Sequence, residues 1–391
     1  MTVAAADHLD YADRVRGSLL GGALGDALGW PVEFLRLDDI RSRFGPYGLT
    51  DLAAAGRGGE VTDDTQMTLF TAEGLLRGGT PESVRQAYQR WLLTQRLSGP
   101  ERRPDGWLLA QPFLYASRAP GNACLSGLTG HPRYEPAIPF GLRGRVNPES
   151  KGCGTVMRSA PFGLVGLGVR RAFEFAAECA QQTHGHPTGY LAAGAFAALV
   201  ERLATGTELR RAVEETIVQT AEYRRSEETV TALRRAVKVA DAGPATAAAV
   251  EQVGLGWIAE ECLAMAVYCA LAGADARQAL VLSVNHSGDS DSTGAVCGNL
   301  VGAMYGVGGL PPEWLAVVEG REVIRQVADD LLMAYAYGEE RMVAGRHPAY
   351  RPAASTPAPV VPAPVVSAPP APAAPPAPPA APPYSRFRSR P

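Results

Sequence analysis

Apolar positions recur at three- and four-residue spacing along most of residues 11–346. In the first segment Val15, Leu19 and Leu24 fall on one stripe, as in an amphipathic helix. The same periodicity predicts further helices over residues 65–76, 81–95, 170–182, 191–204, 208–223, 227–240, 258–272, 276–284 and 312–337. Alternating runs of β-branched residues between tight turns, which indicate strands, are almost absent. The pattern predicts an all-α fold.

Two stretches depart from this pattern. Residues 96–151 are rich in Gly, Pro and Asn and only weakly periodic, which predicts long loops with a short helix near residues 108–119. Long ordered loops in a helical domain are commonly functional. Residues 352–383 are nearly all Pro, Ala and Val, a composition typical of extended or disordered chain. We expect one helical domain over residues 11–346 and a disordered Pro/Ala-rich tail over residues 347–391.

Glycines recur at every fourth position in an uncharged stretch between Asp291 and Glu313: Gly294, Gly298, Gly302 and Gly306. This spacing is similar to that of membrane helix dimers, but Gly and Pro after residue 307 leave only about 14 helical residues, too few to span a bilayer. The pattern predicts a buried helix that another helix approaches closely. The first predicted helix has glycines too, despite their cost in helix propensity, which indicates tight packing there: Gly17, Gly21, Gly22 and Gly25.

Charge and cysteine content narrow the class of protein. The formal net charge of -3 gives no overall basic field for nucleic acid. The N-terminal residues lack the basic and apolar regions of a secretory signal. The six cysteines include no CxxC pair, which argues against a thiolate zinc site and a disulfide framework. We therefore expect a cytoplasmic protein with reduced cysteines and no membrane association.

Two short acidic motifs each precede a predicted helix. Residues 60–66 read EVTDDTQ, and residues 288–294 read GDSDSTG. Helix capping accounts for one side chain at such a start. The second motif supplies more, including Asp289 and Asp291, and stands before a helix that is apolar all round, where carboxylates need a compensating cation. If the motifs share one site, they must lie within about 10 Å of each other despite their separation in the chain.

The donor atoms in these motifs are oxygens, which suit Mg²⁺, Mn²⁺ or Ca²⁺ rather than Zn²⁺. An EF-hand is excluded, because its twelfth position requires a bidentate Glu and is Leu300 here. The pair Asp329 and Asp330 lies in a predicted helix without neighbouring hydroxyls, so we interpret it as a solvated face.

Four segments, GSLLGGALGDALGWPVEF, VTDDTQM, QTHGHPTGY and GDSDSTGAVCGNLVGAMYG, resemble in this order the motifs of the ADP-ribosylglycohydrolase family. Between them RAPGNACLSGL and SKGCGTVMRSAPFGL are also similar to family segments, and the resemblance covers roughly residues 11–340. It implies a single orthogonal helical bundle that hydrolyses the glycosidic bond between ADP-ribose and an acceptor, using two Mg²⁺ or Mn²⁺ ions.

The resemblance also implies roles for particular residues. The first metal-ligand cluster would be Thr62, Asp63 and Asp64, and the second would be Asp289, Asp291 and Ser292. Glu33 would be the catalytic residue beside the metals, and Asp26 a supporting group. Substrate would be bound by His184, Gly152, Gly154 and Thr155, the last three in a turn that contacts the diphosphate through backbone N–H groups. Many family members have Asn where this chain has Cys153.

Alternatives stay open at this point. A two-metal hydrolase acting on another nucleotide-like substrate would need a similar cluster. A non-catalytic ADP-ribose-binding or immunity-type protein on the same fold is a second class. The partner is expected to be an ADP-ribosylated acceptor, whether protein, small molecule or nucleic acid. Glu33 alone is compatible with a surface glutamate, and Asn122 with a simple turn former.

Overall fold

The computed structural model describes residues 5–130 and 135–350. Within these ranges the chain forms helices and no β-strand, apart from one isolated bridge between Gly152 and Ile258. The predicted all-α fold is confirmed. The α-helices are α1 Ala5–Gly29, α2 Leu37–Phe44, α3 Asp63–Leu76, α4 Pro81–Thr94, α5 Asn122–Gly130, α6 Val169–Ala180, α7 Pro187–Ala204, α8 Leu209–Ala221, α9 Glu227–Ala242, α10 Ala247–Val253, α11 Ala259–Ala272, α12 Ala276–Val284, α13 Ser290–Tyr305, α14 Pro312–Val317, α15 Arg321–Leu331 and α16 Glu340–Val343.

Helices α1 and α13 pack antiparallel with almost no side chains between them. A Cβ atom on Gly21 would overlap the backbone of Gly298, and one on Gly25 would overlap the backbone of Gly294. Likewise, a Cβ atom on Gly298 would overlap the backbone of Gly21, and one on Gly294 would overlap the backbone of Gly25. The predicted close approach of another helix to the glycine face is thus confirmed. Because the helices are antiparallel, the end of α1, followed by Glu33, lies beside the start of α13.

Helix α7 is the centre of the bundle and is buried along its whole length. It contacts α6, α8, α11 and α13. Many of its positions are Ala or Gly, so neighbouring helices approach it closely from several directions. Helices α3 and α4 pack together against another side, and α3 also contacts α1, α13 and α15. This arrangement holds the N-termini of α3 and α13 against the core.

Two predicted helices are wrong in detail. The helix expected near residues 108–119 is instead two short 3-10 turns, Leu108–Ala110 and Pro112–Tyr115, because Pro112 lacks the N–H that a continuous helix needs. The α-helix of this region, α5, begins later. The helix predicted over residues 312–337 divides into α14, α15 and the π-helical turn Leu332–Ala336. Gly320, in the left-handed conformation at φ 70°, separates α14 from α15.

The interpretation of Asp329 and Asp330 as a solvated face is wrong for Asp330. Its side chain is fully buried and accepts hydrogen bonds from Arg346 Nε and His347 Nε2, each at 2.9 Å. Burial alone would raise its pKa, but these bonds lower the pKa to about 2. Both partners come from the segment after α16, which the helical periodicity does not reveal. Asp329 remains partly exposed and pairs with Arg16.

The predicted tail lies outside the described residues from position 351 onward, so the boundary at residue 347 stays a prediction. The six cysteines are all free, as predicted. None of the described helices combines the length and the hydropathy that a membrane span requires.

Candidate active site and metal centre

The two acidic motifs meet at the N-termini of α3 and α13. The hydroxyl of Ser292 lies 3.4 Å from Asp64 Oδ2, although 228 positions separate the two residues. Asp63, Asp64, Asp289 and Asp291 are all buried. Capping is also present, since the Thr62 side chain accepts from the N–H of Asp64 at 3.3 Å. Capping does not require the two helix starts to meet, so their convergence needs another explanation.

Glu33 completes the acidic cluster. One carboxylate oxygen each from Glu33, Asp289 and Asp291 lies within 4.8 Å of the others. Glu33 follows α1 and is 6% exposed. Its Oε2 atom and Oδ1 of Asp64 are buried without a hydrogen-bond partner in the described chain. No described Lys or Arg forms an ion pair with these carboxylates. Unpaired buried carboxylates are costly unless a cation neutralises them.

The electrostatics of the cluster follow from burial and crowding. Burial, followed by the charges of Asp291 and Asp289, raises the pKa of Glu33 to about 10. Burial also raises the pKa values of Asp63 and Asp64 well above the usual range, and Asp291 adds to both shifts. Asp26, again through burial and then Asp291, has its pKa raised to about 7. Such a set of oxygen donors fits a hard divalent cation.

Asp26 supports the cluster from α1. Its carboxylate accepts the N–H of Thr62 at 2.9 Å and the Thr62 hydroxyl at 2.9 Å. It also accepts from the N–H of Thr65 at 3.1 Å and from the Thr65 hydroxyl at 2.5 Å. Asp26 therefore satisfies the free N–H groups at the start of α3 and fixes where Asp63 and Asp64 project.

Loops close the site from the other side. The N–H of Gly121 donates to Asp63 Oδ2 at 3.1 Å, and the Cys153 thiol donates to Asp289 Oδ2 at 2.8 Å. The Cys153 loop is held by the segment before α11, because Cys153 N donates to Trp257 O at 3.2 Å and Ala259 N to Lys151 O at 2.8 Å. These elements and the carboxylates line a cleft of about 350 Å³.

Three of the residues expected to bind substrate, Gly152, Gly154 and His184, line the same cleft, whereas Thr155 does not. His184 is buried, and burial followed by the positive charge of Arg158 lowers its pKa to about 3, so the ring is neutral at physiological pH. Its Nδ1 pairs with the Thr183 hydroxyl at 2.7 Å, and its Nε2 edge faces Gly152 and Gly154. The Thr155 hydroxyl donates to the Gly189 carbonyl at 2.7 Å. Thr155 is fully buried and its carbonyl accepts a hydrogen bond from the Ser159 hydroxyl at 2.7 Å, so it supports the turn from behind and does not line the cleft.

An aromatic pair that was not predicted from the sequence lies at the mouth of the cleft. Phe34 and Trp257 stack with ring centroids 5.8 Å apart, and both line the cleft although they are 67% and 41% exposed. Phe34 directly follows Glu33, which was a usable signal. Trp257 lies in a loop without periodicity, so no local pattern indicated its position.

With this site in place, the comparison with known proteins identifies the class. The chain belongs to the ADP-ribosylglycohydrolase family, whose sequence profile matches residues 7–340. It is accordingly a hydrolase of glycosyl bonds, in a family that removes ADP-ribosyl groups. The acidic cluster is a set of groups able to hold a divalent metal ion.

Individual relatives agree with this assignment. The chain is similar to the ADP-ribosyl-[dinitrogen reductase] glycohydrolase of Rhodospirillum rubrum, at 26% identity over 83% of this chain and 97% of the relative. It is also 26% identical to the ADP-ribosylarginine hydrolase Tri1 of Pseudomonas putida, over 82% of this chain and 78% of that protein. A solved ADP-ribosylglycohydrolase-related protein complex aligns with a TM-score of 0.57 and 27% identity, over 85% of this chain and 99% of that one.

Proposed function

We propose that this protein removes ADP-ribose from an acceptor at a centre of two divalent cations, Mg²⁺ or Mn²⁺. The observation that carries the proposal is the convergence of the Asp63–Asp64 and Asp289–Asp291 clusters with Glu33, leaving buried carboxylate oxygens unpartnered. Thr62, Asp63 and Asp64 would hold the cations from α3, and Asp289, Asp291 and Ser292 from α13. Cations at such a site supply positive charge that orients substrate oxygens and polarises them.

Glu33 is the proposed acid–base group. Its carboxyl lies at the edge of the cluster and lines the cleft, where it is able to reach a substrate. A carboxyl group there donates a proton to a departing acceptor or takes one from the attacking water. The neighbouring carboxylates also stabilise the positive charge that develops on a ribose as its glycosidic bond breaks.

Binding of the ADP-ribose is proposed for the loop side of the cleft. Glycines at two positions of the turn Gly152–Thr155 let the His184 ring pack directly against its backbone. The N–H groups of this turn would contact the diphosphate. The neutral His184 ring lies directly behind this turn and fixes its position. These residues would hold the non-reacting part of the substrate while Glu33 and the acidic cluster face the reacting ribose.

An arginine side chain is the first acceptor to test, because arginine appears in the name of a relative. Purified protein is incubated with ADP-ribosylated arginine, serine, protein and nucleic acid, with Mg²⁺, with Mn²⁺ and with chelator, and free ADP-ribose is measured. Release that requires a cation and is lost in Asp291→Asn, with Asp329→Asn as the matched control, supports the proposal.

Two outcomes would contradict it in different ways. Absence of release from every acceptor, together with measurable ADP-ribose binding, would favour a non-catalytic binding protein. Release that persists in chelator would support the hydrolase activity but contradict the proposed metal centre.

A further inference from the structure

We propose that Cys153 is a sulfur ligand of the metal centre, so that the centre binds a thiophilic divalent cation as well as an oxygen-seeking one. The inference rests on the proposed metal centre and adds to it a donor of a different kind. Its basis is the position of the thiol within the acidic cluster.

Cys153 lies among the groups expected to bind metal. Its Sγ atom is 2.8 Å from Asp289 Oδ2 and 3.7 Å from the Ser292 hydroxyl. Two donors bound to one Zn²⁺, with Zn–S of about 2.3 Å and Zn–O of about 2.1 Å, are roughly 3.1–3.6 Å apart at ordinary angles. The observed separations fall on either side of this range, so small shifts bring sulfur and oxygen onto a common ion.

A second observation points to a ligand at the same place. Oε2 of Glu33 and Oδ1 of Asp64 line the same cleft, are buried and have no hydrogen-bond partner in the described chain. The cluster therefore offers unused donor atoms in the cleft that the thiol also lines. Sulfur and carboxylate donors together favour Zn²⁺, Cd²⁺ or similar cations, whereas Mg²⁺ takes oxygen ligands only.

Cys153 is also distinct among the cysteines of the chain. It is partly exposed and lines the cleft, whereas the other five are buried: Cys124, Cys179, Cys262, Cys269 and Cys297. The loop that carries it is held by the backbone bonds to Trp257 and Ala259, which fixes the thiol in place. On binding, the S–H bond would be replaced by a sulfur–metal bond and the proton released to solvent.

The test is titration of the full chain with Cd²⁺, recording the ultraviolet charge-transfer band of a cadmium–thiolate bond. We expect one equivalent of the band in the wild type, its loss in Cys153→Ser, and its retention in Cys124→Ser. Cys124 is the matched control because its thiol lines the same cleft but is fully buried beside Arg158. No band in the wild type, or a band kept in Cys153→Ser, would overturn the proposal.

A labelling experiment gives an independent readout. At alkaline pH, where thiolate forms, iodoacetamide should alkylate Cys153, the partly exposed thiol, and peptide mass spectrometry identifies the site. Cd²⁺ at one hundred times its Kd should slow this reaction by about 100-fold, from the fraction of free site. Equal rates with and without Cd²⁺ would contradict metal–sulfur bonding.

Failure here is distinguishable from failure of the proposed function. If Mg²⁺ stabilises the chain and supports release of ADP-ribose while Cd²⁺ gives no band, the sulfur ligand is wrong and the hydrolase stands. If the band forms on Cys153 but no acceptor is cleaved, the metal–sulfur site stands without the proposed reaction.

Discussion

Replacement of Asp291 by Asn should stabilise the cation-free protein and remove most of the stabilisation that cations give. Asp291 raises the pKa of each of the other carboxylates in the cluster, so its charge is the main source of repulsion there. Asn keeps an oxygen that can accept the Ser292 N–H, now bonded to Asp291 Oδ1 at 2.9 Å. The substitution thus removes charge with little change in local structure.

The size of the stabilisation in cation-free Asp291→Asn follows from the spacing of the carboxylate oxygens. The clustered oxygens of Glu33, Asp289 and Asp291 lie within 4.8 Å. Two unit charges at that distance repel by about 3.5 kcal/mol at an effective dielectric constant of about 20. Proton uptake absorbs part of this energy, so the relief in cation-free protein is on the order of 1–3 kcal/mol. The melting temperature of a domain of this size shifts by about 1.4 °C for each kcal/mol of stability. Cation-free Asp291→Asn should melt about 1.5–4 °C above the wild type.

With cations the difference in melting temperature should narrow or reverse. Mg²⁺ or Mn²⁺ at one hundred times its Kd should stabilise the wild type by about 2.7 kcal/mol, or roughly 4 °C. Asp291→Asn should lose most of that gain, and Asp329→Asn should keep it. The assay is thermal unfolding at constant pH in chelator and in each cation. A full cation-dependent gain in Asp291→Asn, or a lower melting temperature than the wild type in chelator, would refute the reasoning.

Three further outcomes are expected. Glu33→Gln should bind ADP-ribose, by calorimetry, but turn over about 10²-fold more slowly or worse; near-normal kcat would remove it from the chemistry. Asp330→Asn should cost about 1.5–3 kcal/mol in urea unfolding, because it removes the buried carboxylate that accepts hydrogen bonds from Arg346 and His347, against less than about 1 kcal/mol for Asp329→Asn. Since the pKa of Asp330 in the folded protein, about 2, lies below its ordinary value, its contribution to the free energy of unfolding is present above about pH 4 and lost as pH falls toward 2. The same loss of stability with falling pH in wild type and Asp330→Asn would contradict this. Gly298→Ala should cost about 1–3 kcal/mol and weaken the cation response, whereas Ala at Gly308, which has open space around it, should do neither.

The sequence was sufficient for the fold class because helical periodicity is local and strong. The sequence motifs also located both acidic segments, and the glycine spacing indicated the close helix pair. Asp330 was misjudged because its partners Arg346 and His347 follow α16, beyond any helical repeat. Trp257 was missed because only the backbone pairing with Cys153 places it at the cleft.

The roles of the site residues stay predictions, although the structure brings their side chains together. A sequence motif identifies donor types, but it does not give the contacts between loops. Cys153 illustrates this limit, because the motif marked it as a departure and only the fold shows its thiol against Asp289.

The glycine pairing of α1 with α13 also has a consequence for synthesis. Gly25 and Gly294, which face each other, are about 270 residues apart, so α1 leaves the ribosome long before its partner exists. At about 5–20 residues per second the interval is roughly 14–54 s. During that time the bare backbone stripe of α1 has no native surface to cover it. The acidic cluster, which needs both helices, can assemble only after α13 has been synthesised.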